Sequence, residues 1–211
     1  MAALSAVDLY RFFHNGDAET LALRGVSVSL AAGEMVALLG ASGSGKSTLL
    51  NCLAGLDEPD GGHVDLLGQR LTRRPEAERA RRRAAHVGIL MQSHNLIPVL
   101  RVMDNMVLVM TLANRLDRPR APGHASARPA QLSGGELARA GLAVALAAAP
   151  SVLLADEPTG EVDAATEQQV FQVLAAQRAA GTAILIATHS EALAAKADRV
   201  LRMHDGRLVD V

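Results

Sequence analysis

Short, uniformly apolar runs alternate along this chain with longer stretches in which apolar residues recur at helical spacing. Two β-like stretches, residues 6–13 and 21–30, flank the polar segment His14-Asn15-Gly16-Asp17, which predicts a hairpin at an antiparallel edge. Residues 35–39 form a short apolar run that enters a glycine-rich turn, and residues 46–54 continue as helix. Further along, the pattern predicts a strand over 86–91, a helix over 133–149 stopped by Pro150, and a buried strand over 152–155. An amphipathic helix over 164–179 and a second buried strand over 183–188 follow, and residues 200–203 and 208–211 close the chain as a hairpin around Asp205-Gly206. Apolar strands that lack polar alternation and are separated by helices need cover on both faces. The expected fold is therefore α/β with a mainly parallel sheet and an antiparallel N-terminal part.

Two segments fall outside this scheme. Residues 70–83 are rich in Arg, but Glu76 and Glu78 are interleaved, so the run reads as a solvated helix face rather than a lipid-binding patch. Residues 114–130 are rich in Pro, Arg and Ala. With 21 basic and 22 acidic side chains, the net charge of −1 gives no global pull toward nucleic acid. A length of 211 residues supports one domain, and 2% aromatic content leaves an aliphatic core. The single cysteine, Cys52, excludes an internal disulfide and reads as a buried apolar residue. The first residues lack the features of a secretory signal. The uncharged window 140–155 is broken by Pro150 and closed by Asp156 and Glu157, too short to span a bilayer. These features lead us to expect a cytoplasmic protein.

The turn after residue 39 carries the first chemical signal. Gly40-Ala41-Ser42-Gly43-Ser44-Gly45-Lys46-Ser47 fits GxxxxGK[S/T], and Thr48 extends it. Glycines let the backbone turn so that successive N–H groups point at phosphate oxygens, and the following helix adds its positive end. In that pattern Lys46 reaches the β- and γ-phosphates and the Ser47 hydroxyl joins a Mg²⁺ shell. The strand at 152–155 ends in Asp156-Glu157. Strand tips at the carboxyl edge of a parallel sheet surround the ligand crevice, so Asp156 is placed to hold Mg²⁺. Glu157, one residue on, is placed to orient and deprotonate a water attacking the γ-phosphate.

Leu132-Ser133-Gly134-Gly135-Glu136 opens the next helix as a second small-residue loop at a helix start. With these three motifs the chain resembles the ABC transporter ATPases, whose LSGGQ or LSGGE signature completes the ATP site of the opposing subunit in a head-to-tail dimer. The resemblance covers nearly the whole chain. It implies an ATPase with ATP and Mg²⁺ as cofactors, a P-loop fold of ABC type, and a helical subdomain near residues 93–140. Gln92 resembles the Q-loop glutamine that touches Mg²⁺ and water. Asp163 resembles the D-loop aspartate of the dimer contact, and His189 the switch histidine that meets the γ-phosphate. Phe13 aligns best with the aromatic that stacks on adenine, with Phe12 and Tyr10 as rivals.

Gly33-Glu34-Met35, Asn95-Leu96-Ile97-Pro98 and Asp156-Glu157-Pro158-Thr159-Gly160 are most similar to the lipoprotein-releasing, macrolide-exporting and cell-division branch. The implied partners are a second ATP-binding subunit, in a homodimer, and membrane-spanning permease subunits. The protein is then peripheral on the inner face of the membrane and serves export. The alternative is a mechanotransmission module that moves no substrate. Absence of a long coiled coil or a duplicated domain argues against the DNA-repair and translation ATPases of the superfamily. The chain also departs from the family pattern. The stretch between Gln92 and Leu132 is short by about one helix, Val144 stands where a second Arg is usual, and Met91 replaces an aromatic. The shortening falls in the helical subdomain, over residues 114–130.

Overall fold

The computed structural model describes residues 2–15, 18–115, 125–160 and 162–209. Among these residues the strands form two sheets. The larger has six strands in the order β10-β9-β3-β8-β7-β6: β3 (Met35–Leu39), β6 (Val87–Leu90), β7 (Val152–Asp156), β8 (Ala183–Thr188), β9 (Arg199–His204) and β10 (Arg207–Val209). Its pairings are parallel except for the closing β9–β10 hairpin. Every residue of β3, β7 and β8 is buried, the consequence of cover on both faces.

That cover divides by side-chain parity. Val36, Leu38, Val152, Leu154, Ala183 and Leu185 join one apolar cluster with helix α1 (Lys46–Leu53) and the second sheet. Leu153, Ala155, Ile184 and Ile186 join another with α4 (Gly134–Leu146) and α5 (Ala164–Ala179). Ala37 and Leu39 pack on α6 (Glu191–Ala194). Leu38 and Leu153 are fully buried, so trimming either to Ala would cost about 2–5 kcal/mol.

The second sheet is antiparallel, in the order β2-β1-β4-β5: β1 (Ala2–Asn15), β2 (Ala18–Ala31), β4 (Gly61–Leu66) and β5 (Gln69–Arg70). The hairpin expected at the N-terminus is present, with Asn15 opposite Ala18. It builds this separate sheet instead of edging the parallel one, because Leu4, Leu9, Leu23 and Leu30 turn inward to cover α1. Gly16 and Asp17 of the turn lie outside the described residues, as do Asp210 and Val211 at the end of the second hairpin.

The Arg-rich run is helical from Glu76 onward, as its charge pattern suggested, whereas Arg70 closes β5 and residues 71–75 are not helical. α2 (Glu76–His86) pairs Arg79 and Arg83 with Glu76, and Arg82 with Glu78. His86, expected to start a strand, closes this helix instead, and β6 begins at Val87. α3 (Val102–Leu112) packs on α4 through Val102, Met106, Ala140 and Val144, with Leu96 beside them. This is a small second core, and Val144 belongs to it. Residues 116–124 lie outside the described part. On its far side the chain returns to the start of α3, where Ala125 and Ala127 carbonyls accept from Met103 and Val102 N–H.

Candidate functional site

The parallel register brings the separated motifs to one edge. Leu39 stands opposite Thr188, Asp156 opposite Ala187, and Leu90 opposite Ala155. The residues that follow these strands, the phosphate loop, His189, Glu157 and Gln92, therefore emerge side by side at the carboxyl ends. They line one cleft of about 790 Å³ that also includes Phe13, Ser42, Gly43, Gly45, Lys46, Ser47, Thr48 and Asp156. Gly40, Ala41 and Ser44 of the same loop do not line the cleft; Ser44 is buried and Ala41 is exposed.

Gly45 caps α1 with φ 106°, a conformation that disfavours any side chain, and a Cβ there would lie 2.6 Å from the Ala22 carbonyl oxygen. Lys46 is buried, and its Nζ donates to the Gly40 and Ala41 carbonyl oxygens at 2.6 and 3.1 Å. Among the described residues no carboxylate forms an ion pair with it. A buried ammonium held only by carbonyl oxygens, at the mouth of a turn ending in a helix N-terminus, suits an incoming anion.

The acid pair is held in two ways. Asp156 is buried and its Oδ2 accepts from Ser47 Oγ at 2.6 Å. A hydroxyl and a carboxylate at this spacing form a hard oxygen donor set that fits Mg²⁺, which takes one or two protein oxygens with phosphates and waters. Among the described residues no group of three His, Cys, Asp or Glu forms a metal cage; a Mg²⁺ bound largely by substrate needs none. Glu157 follows with φ 47°. Its N–H donates to the Ala187 carbonyl at 2.9 Å, and its Oε2 accepts from Thr188 Oγ at 3.0 Å. Its Oε1 lies 2.8 Å from His189 Nδ1. With the carboxylate ionised, Nδ1 carries the shared proton.

Phe13 lines the cleft with Arg11 over its ring at 4.8 Å from the centroid, and Arg11 is itself held by Asp57 and Asp60. The rivals do not line the cleft. The Tyr10 hydroxyl and ring lie against Gly25 and Gly61, where added Cβ atoms would meet them at 2.9 and 3.1 Å.

Ser133, Gly134, Gly135, Glu136 and Asp163 also do not line it. Ser133 caps α4 in a reciprocal arrangement: Glu136 Oε2 accepts from both Ser133 N–H and Oγ at 2.8 Å. Asp163 caps α5 by accepting from Thr166 N–H at 2.8 Å, and that bond holds its carboxyl below the ordinary aspartate range. The two caps interlock: Thr166 Oγ accepts from Arg139 Nη1 at 3.2 Å and would lie 2.8 Å from a Cβ at Gly135. A Cβ added at Gly134 would meet nothing within 4 Å, and Gly134 lines a second groove with Gln92, Glu157 and His189.

Sequence reasoning missed Thr188 and Thr166, which hold Glu157 and Asp163. It also did not identify the role of Asn95, whose amide bonds both Met91 N–H and C=O at 2.7 Å and fixes the approach to Gln92. Thr20, Arg24 and Asp205 of the cleft wall were missed too. Only the Asp163–Thr166 spacing carried a local signal, that of a helix cap.

The sequence profile of ABC transporters matches residues 23–160. The lipoprotein-releasing system ATP-binding protein LolD of Acinetobacter baylyi is 41% identical over 221 residues, covering 98% of this chain and 97% of that protein. LolD of Ruegeria pomeroyi is 47% identical over 204 residues, 90% of this chain and 89% of its own. The macrolide export ATP-binding/permease protein MacB of Chromobacterium violaceum is 38% identical over 220 residues, 99% of this chain but 34% of that longer protein. Among solved structures, dimeric MJ0796, a bacterial ABC transporter cassette, matches with TM-score 0.91 at 28% identity, covering 98% of this chain and 97% of that one. Its post-hydrolysis state bound to ADP and Pi matches with TM-score 0.90 at 28% identity, with the same coverage. The chain belongs to the ABC transporter family and is an ATPase cassette of the lipoprotein-releasing and macrolide-export branch.

Proposed function

We propose that this cassette works as half of a head-to-tail homodimer and powers membrane-spanning permease subunits in export, held at the inner face of the membrane by those subunits. The observation that carries the reading is the convergence of Lys46, Ser47, Gln92, Asp156, Glu157 and His189 on one cleft. In this reading the loop N–H groups and Lys46 bind the triphosphate, which draws the ammonium off the Gly40 and Ala41 carbonyls. Ser47, Asp156 and Gln92 would hold Mg²⁺, which supplies positive charge opposite the phosphate oxygens. Glu157 takes the proton of a water aimed at the γ-phosphate, and Thr188 keeps its carboxylate directed there. His189 turns from Glu157 to the γ-phosphate, so arrival of ATP frees the base. Phe13 stacks on the adenine.

Ser133, Gly134 and Gly135 complete the partner's site, supported by the open space at Gly134 and by dimeric cassettes among the structural relatives. Asp163 lies at the same contact. Export as the direction rests on the lipoprotein-releasing and macrolide-export relatives. A permease partner accords with the absence, among the described residues, of a helix long and apolar enough to cross a membrane. Replacing Glu157 by Gln should lower ATPase turnover by about 100-fold or more while ATP affinity is kept. A variant that hydrolyses ATP at the wild-type rate would remove Glu157 from its role as base.

A further inference from the structure

The motifs of the cleft account for one fixed cation, Lys46, yet the cleft wall holds a second, Arg24 of β2. Its backbone is tied to the phosphate loop by two steps. Arg24 N–H donates to the Gly206 carbonyl at 2.8 Å, and Gly206 N–H donates to the Ser44 carbonyl at 2.9 Å. Its stem is tied there as well. Gly206 has φ 73°, and a Cβ on it would lie 3.3 Å from Arg24 Cγ; a Cβ on Gly45 would lie 3.6 Å from Gly206 Cα. Gly206 therefore sits between the Arg24 stem and Gly45, the residue before α1.

The guanidinium at the end of that stem is held by one long bond. It donates to the Leu21 carbonyl at a long 3.4 Å, and among the described residues no carboxylate forms an ion pair with it. Elsewhere the arginines facing acids are engaged, as Arg11 is with Asp57 and Asp60. Arg24 is on the hairpin that carries Phe13 and is tied through Gly206 to the phosphate loop, so it stands between the nucleoside side, marked by Phe13, and the γ-phosphate side, marked by Lys46, Asp156 and Glu157. The group of a nucleotide that lies between these ends and carries negative charge is the α-phosphate. A planar guanidinium with free donors matches phosphate oxygens in geometry and charge.

We propose that Arg24 is a nucleotide-binding residue whose guanidinium donates to the α-phosphate oxygens of the bound nucleotide. The inference rests on the ATP-binding reading of the cleft. It adds a contact that ATP and ADP share, so it strengthens binding without distinguishing the states before and after hydrolysis.

The test is equilibrium binding of ATP, ADP and inorganic tripolyphosphate to the wild type, Arg24→Ala, Arg24→Lys and Lys46→Ala. Arg24 is exposed, so its variants should fold. Arg24→Ala should weaken all three ligands by a similar factor of about ten, and Arg24→Lys should recover part of the loss. ATP affinity unchanged in Arg24→Ala, with Lys46→Ala impaired, would overturn the proposal and leave the site reading intact. Loss confined to ATP would move the guanidinium to the γ-phosphate, and loss spared for tripolyphosphate would move it to the nucleoside; either overturns the α-phosphate contact. Failure of the wild type to bind ATP would remove the site reading itself.

Discussion

Glu157 adopts φ 47° in a non-glycine residue, a conformation that costs about 1–3 kcal/mol and persists where surrounding contacts enforce it. Here the Ala187 carbonyl, the Thr188 hydroxyl and His189 do so. The acid, the histidine and the phosphate loop were legible in the sequence because each lies in a short motif following an apolar run. Thr188 was not, since its bond to Glu157 joins residues 31 apart in sequence. Phe13 was read as the best aligned of three aromatics, and of the three it is the one that lines the cleft. Its ring lines the cleft and has Arg11 at 4.8 Å from its centroid, so Phe13→Ala should weaken ATP binding several-fold through lost stacking, of about 1 kcal/mol. Titration of ATP into the variant checks this, and unchanged affinity would assign the base contact elsewhere. Cys52 is fully buried, and burial pushes its thiol up to about 12, in keeping with the apolar role read from the sequence.

At the scale of elements, the uniformly apolar strands β3, β7 and β8 could be read directly because burial on both faces removes polar alternation. The pairing of β4 and β5 could not. β4 carries two glycines and a His among few apolar residues, and its place depends on β1, more than fifty residues earlier in the chain. α3 was missed because Val102, Met103, Met106, Val107, Leu108, Val109, Met110 and Leu112 leave little contrast between faces. The four-residue α6 is too short to show a period.

Val144 looked like a departure from the family pattern, and the structure supplies a reason. It packs with Leu96, Val102, Met106 and Ala140 in the core that joins α3 to α4. Restoring the family residue as Val144→Arg would bring a charge into that apolar cluster and should destabilise the fold by roughly 2–4 kcal/mol. Chemical denaturation of the two proteins measures it, and a difference below about 0.5 kcal/mol would mean that the cluster accommodates the guanidinium at its edge.

For the whole molecule, the two halves of the proposed ATP site line different, neighbouring grooves of one chain, which share Gln92, Glu157 and His189. The phosphate loop opens into the first cleft, while the signature caps α4 and interlocks with the α5 cap through Thr166 and Arg139. This division is what a composite site between two copies requires. The match to Acinetobacter baylyi LolD runs over 221 residues, more than the 211 of this chain, so the relative has residues that this chain lacks. Residues 116–124, within the segment expected to be shortened, lie outside the described part. The proposed composite site forms only when two copies close on each other. Its most direct test is the solution mass of the Glu157→Gln variant with and without ATP, because blocking hydrolysis should trap the closed state. A monomer that becomes a dimer only when ATP is added is the predicted result. A variant that binds ATP and stays monomeric would contradict closure between two copies of this chain.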